Sequence, residues 1–128
     1  MSGIMFEKSL NFFFLTFLIF FNKDVWSENS IKFVSGIDDL PIFSKMINNY
    51  ESLVIFDTNE GRFVKTEIYG EVKLKKLVKF YEKILPNLGW NKLEEMKFQR
   101  DDEVLILKYD KKDKIIFLTF NILPNKNF

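Results

Sequence analysis

Apolar side chains along this chain follow three different rhythms. Residues 10–21, LNFFFLTFLIFF, form a continuous block without a charge. From residue 52 the pattern becomes that of strands. SLVIF (52–56) is a short β-branched run closed by Asp57, Asn59 and Gly61, residue types that supply turn conformations. The following segment alternates, with Val64, Thr66 and Ile68 on one face and Phe63, Lys65, Glu67 and Tyr69 on the other, so a β-hairpin around Asn59-Glu60-Gly61 is expected. Between residues 74 and 88 the spacing changes to three and four, and only a helix gathers Leu74, Leu77, Val78, Tyr81, Ile84, Leu85 and Leu88 on one side. Lys73, Lys75, Lys76, Lys79, Glu82 and Lys83 cover the rest of it as a solvated face, their long stems lying over apolar neighbours. β character returns in NKLEEMKFQ (91–99), EVLILKY (103–109) and KIIFLTFNIL (114–123), joined by the charged connections QRDDE and DKKDK. In the last of these Ile116, Leu118, Phe120 and Ile122 share the face that should meet the helix.

The order β-β-α-β-β-β has one economical solution. It is a two-layer α+β fold in which an antiparallel sheet of about five strands carries one main helix on one face. The helix end is marked by VKFYEKILPNLGW (78–90). Pro86 has no N–H to give the carbonyl of Glu82 and its ring crowds that oxygen, so the last turn must loosen. Gly89 is expected in a left-handed conformation just beyond, with Trp90 folding back on Leu85. Leu85, Pro86, Gly89 and Trp90 together form a structural helix end. The sheet face turned away from the helix carries Phe63, Tyr69, Ile115 and Phe117, with Leu123, Thr119 and Asn121. That is more apolar surface than a solvated sheet needs, which makes it the candidate interaction face unless residues 31–43 fold over it.

The block at 10–21 changes what composition means. A block of twelve uncharged residues falls short of the roughly 20 apolar ones that cross a bilayer. Glu7 and Lys8 precede the block, and Val25 and Ser27 follow it at −3 and −1 of a cleavage position after Ser27. This is the layout of a secretory signal, with Met1 or Met5 as its start. The expected organisation is a signal peptide over 1–27, an extended lead-in over 28–51, a single α+β domain over 52–124 and a tail over 125–128. Seven of the 16 Phe lie within the leader, so the core of the exported chain must be built from the remainder. Removing Lys8, Lys23, Glu7 and Asp24 with the leader keeps the net charge at +1, a balance that offers no electrostatic footprint for nucleic acid. The chain has no Cys, so neither disulfides nor a lipid-bearing thiol is expected. A periplasmic location follows from cleavage; the alternative is an inner-membrane protein anchored by residues 10–21.

Absent residue types also bear on chemistry. Without His or Cys there is no His-assisted nucleophile, no thiol chemistry and no nitrogen- or sulfur-ligated zinc. Asp38-Asp39, Glu94-Glu95 and Asp101-Asp102-Glu103 are neighbours in sequence, and neighbours on a strand point to opposite faces. They read as solvated turn acids, and the five scattered glycines make no phosphate-cradling loop. No cofactor is expected. A carboxylate-dependent enzyme, using acids from separate elements such as Glu67 and Glu94, is the alternative to a non-catalytic domain.

The series DLPI (39–42), SLVIF (52–56), TEIYGEV (66–72), VKFYEKILPNLGW (78–90), LILKY (105–109) and FLTFNILP (117–124) resembles a group of small exported bacterial proteins and lipoproteins of unassigned function. Their pattern is a D-[LIV]-P segment, two strands, a Y-x-G turn, a helix carrying F-Y or F-F, an [LM]-P-x-x-G-W helix end and three strands. The present chain departs from it in lacking a lipidation Cys after the leader and a second proline and glycine behind DLPI. The resemblance implies the α+β fold and an envelope location, and no activity. The expected function is that of an exported, non-catalytic envelope or periplasmic domain that binds a protein partner or a small apolar ligand.

Overall fold

A computed structural model describes residues 30–126; the leader and its cleavage position lie outside them. The chain forms strands β1 (Ile47–Thr58) and β2 (Gly61–Gly70), helix α1 (Leu74–Asn87), and strands β3 (Asn91–Glu94), β4 (Lys97–Arg100), β5 (Glu103–Lys112) and β6 (Ile115–Pro124). All strands belong to one six-stranded sheet in the order β1-β2-β6-β5-β4-β3, with every neighbouring pair antiparallel. The two-layer α+β arrangement expected from the sequence is the one observed. The added strand comes from residues 91–99, which fold as a hairpin because Met96 takes a positive φ of 62°. Its N–H then donates to Glu82 Oε1 of α1 at 3.2 Å. Glu82 also pairs with Lys92 Nζ at 2.9 Å, so it ties helix to hairpin rather than lying in the solvated face.

Helix α1 carries the chain across the sheet, from β2 near one edge to β3 at the other. It presses Leu77, Tyr81 and Leu85 into a core completed by Val64 and Ile68 of β2, Phe98 of β4, Leu105 and Leu107 of β5, and Ile116, Leu118, Phe120 and Ile122 of β6. Tyr81 meets Phe120 edge-on at 5.2 Å between ring centroids.

One helix about 10 Å across covers about two strands spaced ~4.8 Å apart, so it cannot roof the whole face. The lead-in supplies the rest. Val34, Ile37, Leu40 and Met46 are buried members of the core, and strand β1 begins at Ile47 rather than at residue 52. The lead-in is closed on itself by a bridge between Phe33 and Pro41, and Val34 N–H donates to the Leu40 carbonyl at 2.8 Å. Asn48 of β1 clamps it from below, accepting from Ser35 N–H at 2.9 Å and donating to the Phe33 carbonyl at 3.0 Å. Tyr81 clamps it from the helix, its hydroxyl donating to the Pro41 carbonyl at 2.9 Å and accepting from Phe43 N–H at 3.1 Å. At Gly36 the backbone passes so close to β1 that a Cβ would lie 2.6 Å from Leu53 Cδ1. Residues 31–43 therefore pack on the helix side of the sheet and do not cover the opposite face. The extended, unpacked lead-in expected from its polar and turn-forming composition is corrected: the apolar side chains at 34, 37 and 40 fill the area that α1 leaves open.

The end of α1 is a closed Schellman turn. Gly89 sits at φ +90°, its N–H bonds to the Pro86 carbonyl at 3.1 Å, and Trp90 N–H reaches back to the Leu85 carbonyl at 3.0 Å. Pro86 lies inside the last turn, where its carbonyl is still used although its donor is missing. Trp90 and Leu85 are both fully buried. Arg100 of β4 seals the junction. Its guanidinium carbon lies 4.3 Å from the centroid of the indole, and Nη1 donates to the Leu88 carbonyl at 2.9 Å and to Asp39 Oδ2 at 2.7 Å. One side chain thus joins the helix C-terminus, the tryptophan and the lead-in.

Candidate functional site

The sheet face away from α1 is built by simple alternation along β2, β5 and β6. Tyr69 pairs with Phe117, Glu67 with Thr119 and Lys65 with Asn121, while Val104 pairs with Leu123, Ile106 with Asn121 and Lys112 with Ile115. None of these side chains is buried, and none belongs to the core. Strand β1 contributes through an interruption. Its register shifts between Asn49 and Val54, so Ile47 and Asn49 face this side before the bulge and Val54 and Phe56 after it. The bulge changes which parity points outward, and that is why Phe56 and Val54 could not be assigned to a face from sequence periodicity.

The four candidate residues do not form one cluster. Tyr69 and Phe117 stack with centroids 5.8 Å apart, and Lys112 Nζ lies 5.9 Å above the Phe117 ring; Ile115, on the same face of β6, extends this patch. Phe63 instead stacks on Phe56 at 4.8 Å and 11° between ring planes, beside the half-exposed Val54. Six residues of β2 separate the two patches, a distance of about 20 Å at ~3.3 Å per residue. Between them runs a polar belt of Lys65, Glu67, Lys108, Thr119 and Asn121, in which Asn49 Nδ2 donates to Glu67 Oε1 at 3.0 Å. A depression of about 300 Å³ on this face is lined by Glu67, Lys108, Asp110, Lys112, Phe117 and Thr119, and so reaches from the belt to the Phe117 ring.

Acidic residues are dispersed. Glu67 lies on β2 and Glu94 on β3, four strands apart in the sheet. Asp39 is bound to Arg100, and Glu103 lies 3.4 Å from Arg62. Among the described residues no group of three or more His, Cys, Asp or Glu is placed to hold a metal ion, and no helix is long and apolar enough to cross a membrane. The phenol of Tyr81 is pushed well above its ordinary value by burial, with the hydrogen bond from Phe43 N–H opposing. A protonated hydroxyl held between two backbone groups is a structural clamp.

Comparison of the chain with protein-family models, with curated proteins and with solved structures finds no match.

Proposed function

We propose that this chain is an exported, non-catalytic binding domain of the cell envelope that takes a protein partner on the open face of its sheet. The observation that carries the proposal is the pair of stacked aromatic patches, Phe56–Phe63 and Tyr69–Phe117, set about 20 Å apart on one sheet face. Small-molecule sites are concave and enclose most of their ligand, whereas protein interfaces place aromatic anchors on broad surfaces with polar groups around them. A small apolar ligand would engage one patch and leave the other exposed. A protein surface spans both, with Lys65, Glu67 and Lys108 in the belt between them fixing its register.

Export rests on the leader at 1–27, and cleavage after Ser27 gives a mature amino terminus at Glu28, which mass spectrometry of the exported protein checks. The binding face is tested by recovering the tagged protein from cells under mild cross-linking, alongside Phe63→Gln/Phe117→Gln and a Lys79→Gln control on the exposed side of α1. The expected result is a specific protein retained by wild type and control and lost at least tenfold in the double variant, whose fold is verified by circular dichroism. Retention of the same protein by the double variant overturns the assignment of this face.

A further inference from the structure

A second surface, remote in character from the aromatic face, combines concavity with concentrated charge. An open cavity of about 590 Å³ is bounded by Lys45 from the lead-in, Lys73 and Lys76 at the start of α1, and Lys111 and Lys114 from the β5–β6 hairpin. Three chain segments far apart in sequence thus direct lysines to one hollow. The single acid at its wall is Glu71, and Asp113, although it lies in the same hairpin turn, does not line it. Four formal positive charges remain uncompensated. None of these five ammonium groups has an ion-pair partner among the described residues; the ion pairs present employ Arg62, Lys92, Lys97, Arg100 and Lys126. The floor is apolar, from Phe43, Val72 and Leu74.

Like charges held around one concavity repel one another, and low-dielectric walls focus their field into it. The cost is relieved when an anion enters. The start of α1 adds to the same potential: Lys73 at its N-cap makes no side-chain cap and no acidic residue lies in the first turn. Lysine ammoniums are compact point charges with three rotatable donors, suited to tetrahedral, multiply charged oxyanions, whereas planar carboxylates are best matched by arginine forks. The volume lies within the range of small-ligand sites. We infer that this cavity binds a phosphate-bearing ligand, with the phosphate among the five lysines and an adjoining apolar portion against Phe43, Val72 and Leu74. Phosphate of this kind can be free or carried on a lipid headgroup, and the test distinguishes the two.

Inorganic pyrophosphate is titrated calorimetrically into the purified protein and into two charge-matched variants. Lys73→Gln/Lys76→Gln/Lys111→Gln removes three charges from the cavity, and Lys75→Gln/Lys79→Gln/Lys83→Gln removes three exposed charges from α1 outside it. The site predicts saturable one-to-one binding, weakened at least tenfold in the first triple variant and changed less than twofold in the second. In parallel, the proteins are sedimented with phosphatidylcholine vesicles with and without phosphatidic acid. Enrichment on phosphatidic acid that only the cavity variant loses supports the site and assigns its ligand to a lipid headgroup; pyrophosphate binding without such enrichment supports it with a free ligand. Absence of saturable binding to both probes, or equal weakening in the two triple variants, overturns the inference. Phe63 and Phe117 do not line the cavity, so Phe63→Gln/Phe117→Gln should leave pyrophosphate affinity unchanged, which separates this site from the protein-partner face.

Discussion

Trp90→Ala probes the element on which the domain depends most. The indole is 1% exposed and is the largest of the fully buried side chains among the described residues, packed where helix end, β4 and lead-in meet. Truncating a large aromatic in a core that relaxes incompletely costs about 3–5 kcal/mol. The total stability of a domain of this size is about 5–15 kcal/mol, so about a fifth of it or more is at stake. The backbone bond from Trp90 N–H to the Leu85 carbonyl is available to any residue, so the loss is one of packing and of the contact with Arg100. With a urea dependence of ~1–2 kcal/mol per molar, the unfolding midpoint should fall by ~1.5–5 M. Circular dichroism follows the transition in the variant, and fluorescence follows it in the wild type. In protein that starts at Glu28, the proposed mature terminus, Trp90 is the remaining tryptophan, and its native emission should be that of a buried indole. Arg100→Gln completes a double-mutant cycle, and a coupling of about 0.5–1 kcal/mol is expected for a cation over an aromatic face. A midpoint shift below ~0.5 M in Trp90→Ala, or native emission of an exposed indole, refutes the assignment of Trp90 as the lock of the helix end.

Gly89→Ala places a β-carbon on a residue at φ +90° and should cost about 1–2 kcal/mol in urea unfolding, while Pro86→Ala, which frees a donor for the Glu82 carbonyl and leaves the Schellman bonds in place, should change stability by less than about 1 kcal/mol. Thr66 is fully buried and its hydroxyl has no hydrogen-bond partner, so Thr66→Val should raise stability by about 1 kcal/mol; a loss of that size would show that the hydroxyl is bonded in solution. Tyr81 gives a pH signature. Because burial raises its phenol above the ordinary value, the folded state favours the neutral form. Stability is therefore fully present below about pH 10, where the unfolded phenol begins to ionise, and is lost above it. Tyr81→Phe should be less stable at pH 7 by about 1–3 kcal/mol, with a smaller further loss between pH 9 and 11 than wild type shows.

What sequence determined by itself is local. The three-four spacing from Leu74 to Leu88 can be satisfied only by a helix, alternation in 62–69 and 115–123 only by half-buried strands, and Leu-Pro-x-x-Gly-Trp marks a helix end because proline lacks a donor and glycine tolerates positive φ. These signals hold because each is a property of neighbouring residues. Tertiary structure decided the rest. Whether residues 31–43 lay above or below the sheet depended on how much of its area one helix covers, a quantity no local pattern contains. The turn that splits residues 91–99 into two strands, with Met96 at positive φ, is held by Glu82, a helix residue reaching Met96 N–H. The bulge in β1 reversed the parity of its outward side chains and brought Phe56 onto Phe63, a pairing that no local pattern shows. Arg100 carries no periodic signal, yet it binds Trp90, Leu88 and Asp39 at once, and the five lysines of the cavity come from segments up to 69 positions apart. Such convergences are long-range: they arise only when the antiparallel register and the crossover helix have fixed which distant turns share an end of the sheet.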